Sequence, residues 1–126
     1  MSALIQPPTM GDVLKYELNP NFSRETVTLL AGSTYRVGAV LGRITASGKM
    51  KLSTVPGTDG AQIAAAVLLY DIDARAADAS AVVLLRGPAI VSKAALVFDA
   101  SVDDAAKTAA KHAQLTALGI IPRDAA

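Results

Sequence analysis

Short runs of apolar and β-branched residues, separated by glycine and proline turns, fill the middle of the chain. Residues 26–30 (Thr-Val-Thr-Leu-Leu) are typical of a strand, and the near-continuous apolar run at 63–71 indicates a strand buried on both faces. Gly38 and Gly42 lie four residues apart in another run and predict a bulge or a sharp bend, as in a strand that coils around a small barrel. The pattern predicts strands at 26–30, 35–45, 49–54, 63–71, 81–85 and 89–91, with a weaker alternation at 13–18.

One helix is predicted near the end of the chain, over about residues 102–118. Ser101, together with Asp103 and Asp104, suits the start of a helix, and Gly119 suits its end. A stripe of alanines follows at helical spacing, and we expect it to face inward: Ala106, Ala109, Ala110, Ala113 and Ala117. Because an alanine stripe buries little area, a small sheet or another chain must lie against it.

The first twelve residues show neither strand nor helix periodicity and contain Pro7-Pro8. We expect residues 1–12 to form a flexible, extended N-terminal arm outside the core. Residues 13–126 then form a single domain, because a chain of 126 residues is too short for two well-packed cores. The predicted fold is mainly β with one C-terminal helix: a small open β-barrel, or β-clip-like domain, preceded by the arm.

Composition removes several classes of function. Apolar residues make up 52% of the chain, but 25 residues are alanine and only 4% are aromatic. A net charge of +1 with no basic cluster argues against nucleic acid as a partner. The longest strongly apolar run has 8 residues, whereas a membrane span needs about 20. Without cysteine the chain has neither disulfides nor thiolate chemistry, and synthesis in a cytoplasm fits this composition.

Candidate catalytic and metal-binding residues are few. His112 is the only histidine, so no second histidine or cysteine can share a metal ion with it. Asp71 and Asp73 could hold a hard cation or exchange protons, although two acidic residues at a strand end are more often a solvated loop entry. We therefore predict that the protein is not an enzyme and uses no metal and no cofactor.

An ordered set of short motifs resembles the bacteriophage head decoration protein family of the lambda type. The motifs span roughly residues 11–123 and follow the family's order: 11–17, 23–29, 40–42, 59–60, 70–74, 86–91 and 118–120. The resemblance implies a structural protein that binds as a homotrimer to the outer surface of the expanded head, contacts the major capsid protein and stabilises the head against internal DNA pressure. It also implies a place in the virion, no enzymatic activity and an arm that is flexible until it binds the capsid.

Two sets of contact residues are predicted. Leu14, Tyr16 and Leu18 are expected to form the buried face of a strand that the arm adds to an exposed sheet edge of the capsid; alternatively, they pack on their own domain. The candidates for the subunit interface or another contact are Arg86, Pro88 and Ile90, although Arg86 could simply be solvated. The alternative function is another β-rich phage or scaffold assembly module without catalytic activity, such as a tail or baseplate component.

Overall fold

The computed structural model describes residues 9–124 and contains ten strands, two single-turn helices near its start and one longer helix near its end. The predicted mainly β fold with one C-terminal helix is confirmed. The elements in chain order are α1 (Met10–Val13), β1 (Leu14–Glu17), α2 (Pro20–Ser23), β2 (Arg24–Leu29), β3 (Ser33–Tyr35), β4 (Val40–Arg43), β5 (Met50–Leu52), β6 (Ala64–Leu68), β7 (Ile72–Ala74), β8 (Ala79–Leu84), β9 (Ala89–Ser92), a 3₁₀ turn (Lys93–Ala95), α3 (Ala105–Ala117) and β10 (Ile120–Arg123).

Five strands form the predicted small barrel, in the order β2-β5-β4-β6-β8. Strand β2 lies along β8 over six residue pairs, but only one pair, Leu29 with Met50, joins it to β5. That side of the barrel is therefore almost open. Strand β6 is buried on both faces, as its apolar run predicted: Ala66 and Leu68 belong to the cluster formed by the barrel strands, whereas Val67 belongs to a second cluster.

The second cluster fills the space between the barrel, a small sheet and α3. The sheet has the order β1-β9-β10, in which β9 pairs antiparallel with β1 and parallel with β10. Val91 of β9, Leu115 of α3 and Ile120 of β10 are all buried in this cluster. The small sheet and α3 thus close one side of the barrel with a core of their own.

The strand predicted at 35–45 is divided in two by Gly38. Its φ of +89° lies in the left-handed region, and a Cβ at this position would collide with the carbonyl oxygen of Ala95. The second predicted glycine feature is present as a bulge, because the pairing of β4 with β6 shifts between Leu41 and Gly42. A two-stranded sheet of β3 and β7 flanks the barrel.

Helix α3 starts later than predicted. Its N-cap is Asp104, whose side chain accepts a hydrogen bond from the Lys107 N–H at 2.8 Å, so the predicted start near residue 102 is wrong. Ser101 instead accepts from the Val55 N–H at 2.9 Å and donates to Asp99 at 2.6 Å. The nearer carboxylate therefore caps the helix, while the serine ties the preceding loop to another segment.

The predicted N-terminal arm lies mostly outside the described residues, which begin at Thr9. Of the rest of the arm, residues 10–12 belong to helix α1 and are not extended, contrary to the expectation. Thr9 and Asp12 form a capping box, in which the Thr9 N–H donates to the Asp12 carboxylate at 2.8 Å. This local pair satisfies amides at the helix start, which the lack of periodicity in the sequence did not reveal.

The alanine stripe of α3 faces solvent, so the expectation that it faces inward is wrong. Lys111 and Leu115 form the buried face of the helix. The alanines at 106, 109, 110, 113 and 117 are all exposed. The barrel accepts the longer side chains because α3 packs over β6 and β10, where Leu115 fills the second cluster.

Candidate assembly surfaces

One face of the small sheet carries a row of apolar side chains, which we call the outer stripe: Tyr16, Ile90 and Ile121. Tyr16 pairs with Ile90 across β1 and β9, and Ile121 pairs with Ile90 across β9 and β10. Residues directly opposite one another share a face of a sheet, so the three side chains lie side by side. Tyr16 is 47% exposed, and the two isoleucines are half-buried. The stripe is an apolar band on the outside of the domain.

An apolar groove, the Phe22 groove, adjoins this stripe. Leu18 continues the pairing of β1, because its N–H donates to the Pro88 carbonyl at 3.2 Å. Leu18 and Phe22 are 64% and 57% exposed. The groove has a volume of about 290 Å³, and its lining consists of Leu18, Asn19, Phe22, Ser23, Gly87 and Pro88. Large apolar side chains with this much exposure are typical of a surface that another protein covers.

Local hydrogen bonds hold the turn that presents Phe22. Asn19 caps α2 by accepting from the Asn21 N–H at 3.0 Å, and Pro20 occupies the first turn, where its missing N–H costs nothing. Ser23 then donates to Glu17 at 2.7 Å. The sequence Asn19-Pro20-Asn21 is typical of a turn, and the position of Phe22 directly after it is the only local signal for this residue, which was not among the predicted contact residues.

An ion pair beneath the groove links β1 to β2. The Arg24 guanidinium donates to both oxygens of Glu17, with distances of 2.7 and 2.9 Å, and the Glu17 side chain is only 7% exposed. The hydrogen bond from Arg24 is the main cause of a lowered pKa of Glu17, although burial opposes it. The charged carboxylate thereby fixes the chain on both sides of α2.

Arg86 lies against Phe22. Its Cζ is 5.2 Å from the centroid of the Phe22 ring, and its guanidinium also donates to the Phe22 carbonyl oxygen. A further contact joins Arg86 to Glu25 at 3.1 Å. A cation over an aromatic face is attracted by the ring quadrupole, so Arg86 holds the ring in place at the edge of the groove.

Gly87 brings the end of α3 close to this groove. Its N–H donates to the Leu118 carbonyl at 2.9 Å, and a Cβ at position 87 would collide with the backbone of Gly119. The turn after α3 therefore packs directly on the segment that carries Pro88. Only glycine permits that approach of two backbones.

The structure brings most of the sequence-predicted contact residues together. Tyr16 and Ile90 lie in the outer stripe, Leu18 and Pro88 line the Phe22 groove, and Arg86 stacks on its aromatic ring. Leu14 is separate: it is partly buried and packs against the second core cluster of its own domain. A bulge between Leu14 and Tyr16 breaks the alternation that placed these residues on one face.

The exposed side of α3 is a second assembly candidate, which we call the alanine face: Ala106, Ala109, Ala110, Ala113 and Ala117. These residues are exposed, and the helix is 13 residues long. Small side chains let another chain approach the helix backbone closely, although each one buries little area. The alanine face thus offers shape and close approach, in contrast to the large side chains of the Phe22 groove.

The candidates for chemistry lie apart from one another. His112 packs on the ring of Phe98 at 5.8 Å, Asp71 accepts from the Val37 N–H at 2.8 Å, and Asp73 pairs with Arg75. Within residues 9–124 no group of three or more histidine, aspartate or glutamate side chains could hold a metal ion. In the same part of the chain, no helix is long and apolar enough to cross a membrane.

The family comparison identifies the type of protein. The family model of the bacteriophage lambda head decoration protein D matches residues 3–120, which include the Phe22 groove, the alanine face and all of the outer stripe except Ile121. The chain belongs to the lambda head decoration protein D family. Comparison with curated proteins gave no match.

Members of a head decoration family are structural components of the phage capsid, which gives the exposed apolar surfaces of this decoration protein a context. The capsid is the location that the family implies, and attachment to it requires a surface that another protein covers. Among the described residues, the Phe22 groove, the outer stripe and the alanine face are three apolar regions with exposed or half-exposed side chains.

Proposed function

We propose that this decoration protein binds as a homotrimer to the outer surface of the expanded head, contacts the major capsid protein there, and stabilises the shell against internal DNA pressure. The match to the family over residues 3–120 carries the proposal. The apolar surfaces support it, because an isolated subunit leaves them in contact with water. We further propose that the protein is synthesised in the host cytoplasm before it attaches to the head.

We assign the contact between subunits to the alanine face. Close packing against small side chains gains dispersion energy along the whole helix without large protruding groups that must fit a partner. The helix is held on the barrel by Leu115 and by a hydrogen bond from the Ala64 N–H to Gln114 at 2.7 Å. A rigidly held helix can present its outer side to a neighbour with little further loss of entropy.

We assign the contact with the major capsid protein to the Phe22 groove and the outer stripe. Aromatic residues and arginine, here Phe22, Tyr16 and Arg86, are the types that dominate binding energy at protein interfaces. Strand β1 lies at the edge of its sheet, so among the described residues only β9 pairs with it. An extended segment of the capsid could add to its other edge, and main-chain hydrogen bonds would then accompany the apolar contacts.

A trimer would gain from attaching through three such surfaces. After the first subunit binds, the other two meet their sites at an effective concentration on the order of millimolar. If the decoration protein binds the intact expanded shell but not a ruptured shell, each occupied site stabilises the expanded state. This stabilisation is about 2.7 kcal/mol per site when the concentration of free decoration protein is one hundred times Kd. The stabilisation free energies of many sites on one head would add up and strongly disfavour rupture of the shell.

Two measurements test the proposal. In sedimentation analysis we expect a species of three times the 12.9 kDa subunit mass, and a stable monomer at high concentration would refute the trimer. In binding assays with purified expanded heads and purified tails, we expect binding to heads alone. Preferential binding to tails would instead support the tail or baseplate alternative.

The role of the arm is tested by a deletion that spares α1. Residues 1–8 precede the capping box of Thr9 and Asp12, so we expect their removal to spare helix α1. We expect the shortened protein to remain a folded trimer and to decorate expanded heads poorly. Undiminished decoration would show that the arm has no part in capsid binding.

A further inference from the structure

Lys111 is the one charged residue among residues 9–124 that is buried as a whole, backbone and side chain together. It lies on the inward side of α3, one turn before Leu115, and its exposure is 0%. A lysine in this position is unusual, because burial of an ammonium group is costly unless hydrogen bonds replace its water. Neither the fold class nor the proposed assembly role accounts for it.

Three oxygen atoms surround the Lys111 ammonium. Its Nζ donates to Ser53 Oγ at 2.9 Å, to the Thr54 carbonyl at 2.9 Å and to the Gln62 carbonyl at 2.5 Å. An ammonium has three N–H groups, so each of them has one acceptor. Ser53 is oriented for this role, since its own hydroxyl proton goes to the Ala61 carbonyl at 2.7 Å.

Among the described residues no carboxylate forms a salt bridge with this cation, and Asp99 supplies the opposite charge that acts on it. Burial lowers the pKa of Lys111, and the charge of Asp99 opposes that effect. The positive charge is thus stabilised by neutral oxygen dipoles arranged around it, which is how a protein holds a bound cation.

The acceptors belong to the two ends of one segment, residues 53–62, which connects β5 with β6. The Val55 N–H of this segment donates to the Ser101 hydroxyl, and the Ala64 N–H, just beyond the end of the segment, donates to the Gln114 side chain of α3. Lys111 therefore reaches both ends of the segment from the helix. Its ammonium joins α3, the end of β5 and the approach to β6 at one point.

We propose that Ser53 Oγ and the carbonyl oxygens of Thr54 and Gln62 form an internal binding site for a primary ammonium ion, which Lys111 fills from α3, and that its occupancy fixes residues 53–62 against the helix. The proposal does not depend on the assembly role. The alternative is that the Lys111 side chain only fills volume in the core, and that its three hydrogen bonds do not fix residues 53–62 against the helix.

The variant Lys111→Ala empties the site and permits chemical rescue. It removes three carbons and the ammonium, a volume that n-propylammonium matches. We expect the unfolding equilibrium constant to rise on the order of a hundredfold, and millimolar n-propylammonium to restore part of the loss by binding the folded state. Tetramethylammonium, which has no N–H donor, and 1-propanol, which has no charge, should rescue far less at matched concentration.

Hydrogen exchange locates the effect. In Lys111→Ala the exchange rates of the Val55 and Ala64 amides should rise at least about tenfold more than that of the Val83 amide in the barrel, which should rise only with global unfolding. The rescue by n-propylammonium should slow the same two amides. Lys107→Ala, which removes an exposed ion pair one turn earlier on α3, is the matched control and should leave them unchanged.

Two further variants keep the test decisive if Lys111→Ala does not fold. Lys111→Met retains most of the volume without the charge, and Ser53→Ala removes one acceptor from the otherwise intact site. The proposal requires faster exchange of the Val55 and Ala64 amides in both. It is overturned if Lys111→Met matches the natural protein in stability and exchange, or if n-propylammonium and 1-propanol rescue Lys111→Ala equally.

Discussion

The Phe22 groove and the alanine face are both apolar and exposed, yet they are built on opposite principles. The groove has large side chains, Leu18 and Phe22, at more than half exposure, and local hydrogen bonds around α2 hold them in place. The alanine face has only methyl groups, and a 13-residue helix holds them in a line. The Phe22 groove offers a large apolar area on a few side chains, whereas the alanine face allows another chain to approach the helix backbone closely along the length of α3.

This difference predicts different behaviour in binding. A few aromatic and arginine residues carry most of the energy of an interface of the first kind, so single substitutions there have large effects. In an interface of close-packed small residues the energy is spread out, and the sensitive change is the addition of volume or charge. The two surfaces can therefore be tested separately, with truncation or charge at one and enlargement at the other.

The largest effect is expected from Phe22→Asp. It places a charge in the lining of the groove and removes the ring on which Arg86 lies, so binding to expanded heads should weaken about 30-fold or more. Stability and oligomeric state should change little, because Phe22 is 57% exposed. A binding titration with purified heads and a sedimentation measurement give the two readouts.

The matched control for Phe22→Asp is Ile63→Asp. Ile63 has the same exposure, 57%, but lies outside the groove, directly before β6. The Ile63→Asp variant should bind expanded heads with the same affinity as the natural protein. Equal losses in both variants would mean that the groove is no more important than any other apolar residue on the surface.

The next effect is expected from Ala109→Glu on the alanine face. Glutamate is a good helix former, so the fold should keep its stability within about 0.5 kcal/mol, but an added charged side chain blocks close approach. Association of subunits should weaken on the order of 20-fold, measured by sedimentation across a concentration series. Ala77→Glu, at an exposed position in the loop after β7, is the control.

An intact trimer in Ala109→Glu would remove the alanine face from the subunit interface. If Ala109→Glu trimerises while Phe22→Asp does not, the two assignments are reversed. The pair of variants therefore decides which of the two regions joins subunits.

A smaller effect, on stability, is expected from Glu17→Gln beneath the groove. Loss of the charge weakens the hydrogen bonds from Arg24 and Ser23, at a cost of about 1.5 kcal/mol in the free energy of unfolding. The folded pKa of Glu17 is lowered from 4.5, so its stabilisation is present in full above that value and is lost as the pH falls below it. Denaturant titrations between pH 3 and pH 7 should show this loss in the natural protein.

The same titrations should be flatter with pH in Glu17→Gln, since that side chain no longer titrates. Asp73→Asn is the control, because the pKa of Asp73 is also lowered by an arginine but its side chain is exposed and does not line the groove. An identical pH profile for Glu17→Gln and the natural protein would contradict the assigned role of this ion pair.

The smallest effect is expected from Asp104→Ala at the start of α3. It removes the side-chain cap of the Lys107 N–H and should cost about 1 kcal/mol in the free energy of unfolding. Ser101→Ala should not affect the helix cap, because the serine bonds Asp99 and Val55 instead. Fraying of the first turn, measured by hydrogen exchange, should appear only in the aspartate variant.

Sequence patterns predicted the β-rich class, the doubly buried strand β6, the bulge at Gly42 and the C-terminal helix, because periodicity, glycine positions and turn residues act locally. They did not predict which side of α3 is buried. Alanine is tolerated equally in a core and at a surface. The helical spacing of the alanines therefore shows that they share one side of the helix, but it does not show whether that side faces the core or the solvent. The buried Lys111 was missed for a related reason, since its three acceptors come from residues 53–62, far away in the chain.

Local propensities were enough to predict most of the barrel strands and the C-terminal helix, and an ordered set of motifs across nearly the whole chain was enough to predict the family, whereas α1, α2, β7 and β10 were not predicted. Tertiary contacts were needed to place Leu18 and Pro88 in one groove, to bring Phe22 beside Arg86, and to turn the alanines outward. The physical reason is that pairing between distant strands and the packing of α3 select one face of each element, and that choice depends on contacts that no local pattern contains.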